Sequence, residues 1–364
     1  MDNELLKNLN SEQLDAVKHT SGPLLIVAGA GTGKTTVITR RIAYLVEQNS
    51  AKPDEILALT FTEKAATEME ERVDLLMPLG YYDKWISTFH SFCERILKNH
   101  ALDIGLPNDF ELLDGVRQWI FIYKNFEKFD LDYYKPLGSP NRFIDALLTH
   151  FSRCKDELIT PGDYLNYAEG LRLNSDQSKM TRTHTTPTVS SRVHPKRSNS
   201  KEKIASSSSL ASLGTGLAMT EPIESSEIAR LEEVANAYHT YQKLMVDNNY
   251  LDFGDLINYA LELLKKRPNI LKYYRQKFKY IMGDEFQDTN FAQFQLVKLL
   301  AGDDERSSDT NPSTRFARSG HNLTVVGDDD QSIYKFRGAS VSNILKFKQE
   351  YPDSKQITLT DNYR

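Results

Sequence analysis

The sequence predicts an α/β fold in which helices cover both faces of a parallel sheet. Short apolar runs recur along the chain, each ends in a polar cluster, and each is followed by a helical pattern. The predicted strands are residues 24–27, 56–60, 85–88, 280–282, 323–326 and 356–359. Buried strands that alternate with helices form parallel sheets, and ligands bind at the carboxyl ends of such strands.

Size and composition narrow the class of protein. A chain of 364 residues is long enough for two domains, and 40% hydrophobic with 26% charged residues is typical of a globular protein. No apolar run approaches the roughly 20 residues of a membrane helix, and no signal-peptide pattern is present. We expect Cys93 and Cys154 to be reduced, buried thiols of a cytoplasmic protein. The net charge of −5 excludes a uniformly basic surface but not a local basic groove.

A glycine-rich segment follows the first predicted strand and precedes a helical pattern, which is the context of a phosphate-binding loop. Its residues are Ala28, Gly29, Ala30, Gly31, Thr32, Gly33, Lys34, Thr35 and Thr36. Lys34 would reach the β- and γ-phosphates of a nucleotide, and the Thr35 hydroxyl would hold Mg²⁺. The strict pattern has glycine where Ala28 stands, and the alternative is a glycine-rich turn at a domain edge.

Two acidic residues follow the strand at 280–282. Asp284 would bind Mg²⁺, and Glu285 would polarise the water that attacks the γ-phosphate. Such a pair of acids also occurs as an ordinary helix cap. Together with the Lys34 loop, the pair predicts an ATPase.

The strand at 323–326 leads to Gln331 and to a patch of Tyr334, Phe336 and Arg337. An amide can sense a γ-phosphate, and aromatic residues interleaved with arginine suit stacking on single-stranded bases. The alternative is that Gln331 caps a turn and that the aromatic residues belong to the core.

Residues 107–248 interrupt the strand–helix alternation and predict a mostly helical inserted subdomain, with helical patterns at 115–129 and 142–151. Within it, the Ser/Thr-rich tract 175–226 carries several basic residues, and we expect disorder there. It would serve as a passive linker or as a mobile basic arm that contacts nucleic acid. We assign no chemistry to a second polar insert at 302–322.

Across nearly the whole chain, the order of these motifs resembles that of UvrD/Rep-type superfamily 1 DNA helicases. The matching segments are 9–13, 28–36, 59–66, 88–91, 284–287, 328–338 and 362–364. The resemblance implies a RecA-like P-loop NTPase lobe, built from residues 1–106 and 249–364, with the helical subdomain 107–248 inserted into it.

The resemblance also implies individual roles. Gln13 would read the adenine edge, Tyr363 would stack on adenine, and Arg364 would contact the γ-phosphate. The implied DNA contacts outside the aromatic patch are Phe61, Thr88, His90 and Phe253. Without the motif order, Gln13 would be an ordinary surface amide, His90 a satisfied histidine and Phe61 a core residue.

Three residues depart from the family pattern. Glu63 stands where the family usually has asparagine, and its carboxylate would repel a DNA phosphate. Phe336 replaces a tryptophan and Phe286 a tyrosine. The resemblance also implies a second RecA-like lobe, which these 364 residues do not include, so we expect half of a motor.

These expectations combine into an ATP- and Mg²⁺-dependent 3′→5′ DNA helicase that acts on single-stranded or 3′-tailed duplex DNA in repair or replication. A second lobe would be supplied in cis or in trans. The alternatives are a nucleotide-dependent DNA-binding module without unwinding activity and an unrelated P-loop NTPase. DNA-stimulated ATP hydrolysis would separate these three.

Overall fold

The computed structural model describes residues 4–77, 83–182, 225–302, 322–328 and 342–363. The chain forms two compact units. We call Met1–Asp109 with Phe253–Arg364 the sheet unit, and Phe110–Asp252 the helical unit.

The strands and α-helices alternate through most of the sheet unit, whereas helices dominate the helical unit. The strands are β1 (Leu24–Ala28), β2 (Ile56–Thr60), β3 (Trp85–Thr88), β4 (Glu111–Leu112), β5 (Tyr250–Leu251), β6 (Tyr280–Gly283), β7 (Asn322–Gly327) and β8 (Lys355–Leu359). The helices are α1 (Ser11–Lys18), α2 (Lys34–Glu47), α3 (Glu63–Leu76), α4 (Phe89–His100), α5 (Gly115–Lys124), α6 (Ile144–Asp156), α7 (Pro161–Arg182), α8 (Ser225–Asp247), α9 (Phe253–Lys266), α10 (Pro268–Lys277), α11 (Phe291–Ala301) and α12 (Ser342–Glu350). Short 3₁₀ turns occur at Glu4–Leu6, Pro53–Glu55, Ala101–Ile104, Phe126–Lys128 and Phe286–Asp288.

The described part of the sheet unit contains a six-stranded sheet in the order β3-β2-β6-β7-β1-β8. Every neighbouring pair is parallel. The prediction of an α/β fold with a parallel sheet is confirmed, and each predicted strand coincides with an observed one to within a residue at either end. Because all strands run the same way, their carboxyl ends meet at one edge of the sheet.

Apolar side chains fix this sheet between helices. β1, β2 and β6 are buried at every position, which is the pattern of central strands covered on both faces. Val37 and Ile38 of α2 and Val73 of α3 belong to the same buried cluster as the strands. The helices therefore hold the carboxyl ends of the strands in place.

The helical unit has its own core, built from α5 to α8 and a short parallel pair of β4 and β5. Lys155 is buried in this unit, and its Nζ lies 2.6 Å from Oδ2 of Asp252, which also accepts a bond from the Tyr241 hydroxyl at 2.9 Å. Such a buried ion pair is compatible with folding because its remaining polar capacity is hydrogen-bonded.

The Ser/Thr-rich tract differs from its prediction at its first residues. α7 continues past Ser175 to Arg182, and α8 begins at Ser225. Residues 176–182 contain neither glycine nor proline, so nothing in them stops the helix. The rest of the tract lies outside the described residues, as does nearly all of the polar insert 302–322.

Both cysteines are buried, and burial raises the pKa of each thiol, that of Cys154 to about 12. Among the described residues, no helix is long and apolar enough to span a membrane. The same residues contain no cluster of three or more His, Cys, Asp or Glu side chains arranged to hold a metal ion.

Candidate nucleotide and DNA site

The glycine-rich loop connects β1 to α2 and has the backbone of an anion-binding turn. Gly31 and Gly33 adopt left-handed φ angles of 84° and 88°, which glycine reaches without a steric penalty. Thr32 stabilises the turn, since its Oγ1 donates to the Gly29 carbonyl at 2.8 Å. α2 begins at Lys34, so its unpaired first N–H groups and positive dipole end face the loop.

Gln13 is buried beside this loop, so it is not a surface amide. Its Nε2 donates to the Thr32 carbonyl at 3.0 Å, and its Oε1 accepts from the backbone N–H of Asn10 at 3.2 Å. A Cβ atom at Gly33 would lie 2.9 Å from the Gln13 Nε2, so this approach requires glycine. Gln13 therefore stabilises the loop through a hydrogen bond to its backbone.

Residues near the end of the described chain bond to the loop and to the start of α1. The backbone N–H of Tyr363 donates to the Gly31 carbonyl at 3.0 Å, and Asp361 Oδ2 accepts from Asn10 Nδ2 at 2.9 Å. The Tyr363 ring is exposed. An exposed ring anchored through its backbone beside the phosphate loop is available for stacking.

The acidic pair lies at the carboxyl end of β6, next to the loop. Asp284 is buried, and its Oδ1 accepts from the backbone N–H of Glu285 at 2.9 Å. Burial raises the pKa of Asp284 to about 6, and the neighbouring Glu285 carboxylate adds to this rise. A carboxylate in this position is stabilised by a nearby cation.

Lys34 and Glu285 form an ion pair, with Nζ 3.0 Å from Oε2, and Asp328 Oδ2 lies 3.9 Å from the same Nζ. Lys34 begins α2, beyond β1, whereas Glu285 and Asp328 follow β6 and β7, and these three strands are neighbours in the sheet. The Asp284 carboxyl group is also near enough for the Lys34 charge to act on its pKa. This excess of negative charge fits a divalent cation, with the Thr35 hydroxyl and the Asp284 carboxylate as its candidate ligands.

Glu285 has an unusual backbone for a non-glycine residue, with a φ of 47° in the left-handed region. Such conformations cost free energy and are concentrated at functional sites. In this conformation the Glu285 carboxylate lies 3.0 Å from Lys34 Nζ.

The predicted DNA contacts of the sheet unit lie at the ends of β2 and β3, away from the loop in the strand order. Phe61 is 45% exposed, so it is not a core residue. His90 and Phe253 pack edge to face with ring centroids 5.4 Å apart. Burial lowers the pKa of His90, which favours its neutral form.

The Glu63 carboxylate is hydrogen-bonded to the Thr88 hydroxyl. Glu63 Oε1 accepts from Thr88 Oγ1 at 2.8 Å and from Ser91 Oγ at 2.5 Å. The carboxylate that departs from the family pattern is therefore bonded to a residue predicted to contact DNA.

A model of the UvrD/REP helicase N-terminal domain matches residues 9–352. The chain belongs to this family. It is 39% identical over 362 residues to the ATP-dependent DNA helicase PcrA of Staphylococcus epidermidis, and 38% identical to the enzyme of the same name from Staphylococcus aureus. Each match covers 100% of this chain and 39% of the relative, so the chain spans about two fifths of the length of these relatives.

Five residues to which the sequence assigned roles lie outside the described part of the chain. These are Gln331, Tyr334, Phe336, Arg337 and Arg364. Their roles stay predictions, as do those of the other candidate residues.

Sequence reasoning gave no role to Gln287, although the UvrD/REP motif contains it. Its amide lies between Glu285 and the backbone of Asp328. The signal in the sequence was its position two residues after the predicted catalytic base, but no pattern indicates which atoms an amide will contact.

Proposed function

We propose that this chain is the ATP-binding region of an ATP-dependent 3′→5′ DNA helicase. The observation that carries the proposal is the convergence of Lys34, Asp284 and Glu285 at one edge of the parallel sheet, with Nζ of Lys34 3.0 Å from Glu285. The UvrD/REP family membership and the names of the PcrA relatives support the same activity.

In this proposal, Lys34 exchanges its ion pair with Glu285 for the β- and γ-phosphates of ATP. The released Glu285 carboxylate then accepts a proton from the attacking water. Mg²⁺ would neutralise charge on the phosphates, held through Thr35 and Asp284. The loop N–H groups and Lys34 stabilise the charge that develops in the transition state.

For the DNA, we propose that single-stranded bases stack on Phe61 and on the His90–Phe253 pair. Phe61 and Phe253 are exposed, and Phe253 packs against His90 just beyond the end of β3, which supports this proposal. Stacking on aromatic rings tolerates any base sequence, as a motor requires. We propose single-stranded or 3′-tailed duplex DNA as the substrate, and a role in repair or replication in the cytoplasm.

We also propose that full turnover uses a second motor lobe, in cis or in trans. Arginine residues that reach the γ-phosphate from another lobe are worth about 10³–10⁵ in rate in other phosphoryl-transfer enzymes. A polypeptide of residues 1–364 tested by itself would then bind Mg·ATP but hydrolyse it slowly.

Two variants test the nucleotide site. Lys34→Ala should abolish Mg·ATP binding, whereas Glu285→Gln should bind Mg·ATP normally and hydrolyse it at least ~10²-fold more slowly, the scale of a lost general base. Hydrolysis is measured with and without single-stranded DNA, and binding is measured with a fluorescent nucleotide.

Glu55→Gln is the matched control, because Glu55 forms an ion pair with Lys279 at 2.8 Å elsewhere in the sheet unit. It should leave both quantities unchanged. Normal hydrolysis by either site variant would overturn the assignment. DNA binding without turnover in the wild-type protein would support a binding module, and turnover that ignores DNA would support an unrelated NTPase.

A further inference from the structure

Gln287 connects the carboxyl ends of two neighbouring strands with one side chain. Its Nε2 donates to Glu285 Oε2 at 2.7 Å, and its Oε1 accepts from the backbone N–H of Asp328 at 3.1 Å. Glu285 follows β6, and Asp328 follows β7. The same carboxylate oxygen, Oε2, is the atom that pairs with Lys34.

The chemistry of the partners fixes the orientation of this amide. A carboxylate only accepts hydrogen bonds and a backbone N–H only donates, so the amide nitrogen must face Glu285 and the oxygen must face Asp328. Gln287 is 4% exposed, and its bond to the Asp328 N–H is buried, so water is excluded from that bond and it is stronger than it would be at the surface. The bond to Glu285 is partly buried.

Gly327 leaves the space that this arrangement needs. A Cβ atom there would lie 3.1 Å from the Gln287 Oε1 and 3.0 Å from Cδ1 of Ile344. A side chain at position 327 would therefore press on the amide oxygen, whereas glycine leaves that oxygen room to accept from the Asp328 N–H. The carboxylate of Glu285 thus has a fixed neighbour that is independent of Lys34.

We propose that Gln287 is a positioning residue for the catalytic base, an inference that rests on the proposed function of Glu285. When Lys34 moves to the phosphates, Glu285 loses its ion pair but keeps the hydrogen bond from Gln287. That bond holds the carboxylate at the edge of the sheet, aimed at the attacking water. The anchor at Asp328 keeps the amide itself from rotating.

The test is Gln287→Met, which keeps the approximate volume of the side chain and removes its hydrogen bonds to Glu285 and Asp328, together with a longer one to Asp288 Oδ2 at 3.4 Å. We expect kcat for ATP to fall by about 10- to 100-fold, the scale of a misplaced catalytic group. The dissociation constant for a fluorescent ATP analogue should stay within about threefold of wild type, because Lys34 and the loop still bind the phosphates. The double variant Gln287→Met/Glu285→Gln should be no slower than Glu285→Gln alone, since both residues act through one carboxylate.

Gln293→Met is the matched control, because Gln293 is an equally buried glutamine that caps the first turn of α11. It should change the melting temperature without changing kcat per nucleotide-binding site. Gly327→Ala is the second variant, used if Gln287→Met does not fold. It should displace the amide and lower kcat with nucleotide affinity retained.

Three results would overturn the inference. One is a wild-type kcat in Gln287→Met or, if that variant does not fold, in Gly327→Ala. The others are an equal loss of kcat in Gln293→Met and multiplicative effects in the double variant. If Glu285→Gln itself hydrolyses ATP normally, the proposed function fails rather than the inference about Gln287.

Discussion

Glu63 places a negative charge among residues that are candidates for binding a polyanion. Its carboxylate accepts hydrogen bonds from the Thr88 and Ser91 hydroxyls, so those hydroxyls are already engaged. A DNA phosphate that approached Thr88 would have to displace the Glu63 carboxylate and overcome the repulsion between the two negative charges.

At this residue we expect Glu63→Gln to bind single-stranded DNA more tightly than wild type. Removal of one charge near a phosphate should increase affinity by about 0.5–1 kcal/mol at low salt, and the gain should shrink as salt screens the repulsion. Fluorescence anisotropy with a labelled oligonucleotide at several salt concentrations measures both effects.

Glu71→Gln is the control for a general change in net charge, because Glu71 is exposed on the same helix, α3. An equal gain in Glu71→Gln, or unchanged affinity in Glu63→Gln, would show that Glu63 does not oppose DNA.

Single residues also show where sequence reasoning stopped. Lys34, Asp284 and Glu285 were identified because their spacing after a strand is characteristic of the chemistry. The contacts of Gln13 and Gln287 could not be predicted from the sequence, because the folded backbone determines which groups lie within reach of these side chains. Thr32 lies 19 positions from Gln13, and Asp328 lies 41 positions from Gln287.

At the scale of elements, the apolar runs predicted the strands to within a residue at each end. The central strands are buried on both faces and are therefore apolar throughout, whereas the edge strand β8 is exposed at three of its five positions. The order β3-β2-β6-β7-β1-β8 was not predicted. The strand order depends on which helices cross which face, and the local pattern of each strand is the same in any order.

The contact between α6 and α7 predicts a pH dependence of the helical unit. His150 of α6 is buried, with Nε2 3.0 Å from the Tyr164 hydroxyl of α7, and burial lowers the pKa of His150 from 6.5 to about 4. Between these two values, the unfolded chain binds a proton that the folded unit excludes. The free energy of unfolding is therefore undiminished above pH 6.5 and decreases as the pH is lowered, by about 2 kcal/mol at pH 5.

Urea unfolding at pH 7 and pH 5 tests this expectation. Trp119 lies in the helical unit, so its fluorescence reports on that unit when Trp85, the other tryptophan of the chain, is replaced by Phe. The free energy of unfolding should differ less between pH 7 and pH 5 in His150→Gln than in the wild type, by about 2 kcal/mol. Gln in place of the exposed His239 should leave the difference intact, and an unchanged difference in His150→Gln would contradict the assignment.

At the scale of the whole molecule, the first and last residues of the helical unit lie close together. Glu111 pairs with Tyr250 and Leu112 pairs with Leu251 in the parallel ladder of β4 and β5. Paired strands lie about 4.8 Å apart. Composition predicted an insertion because aromatic, helical segments interrupt the alternation of strands and helices, but it could not indicate that a two-residue ladder closes it.

This closure predicts that the helical unit is dispensable for nucleotide binding. All candidate nucleotide residues belong to the sheet unit. Replacing residues 110–252 with a short Gly/Ser linker should therefore leave the dissociation constant for Mg·ATP within about threefold of the full chain. Lys34→Ala in the shortened protein should still abolish binding. A tenfold loss of affinity on shortening would show that the sheet unit depends on the insert.

The two buried thiols have a practical consequence for studying this chain. Maleimide dyes react with thiolates, and the raised pKa values of Cys93 and Cys154 keep both sulfur atoms protonated and out of reach. A cysteine introduced at the fully exposed Leu137 would therefore be the reactive thiol. The wild-type background is thus suited to single-molecule fluorescence without prior removal of its native cysteines.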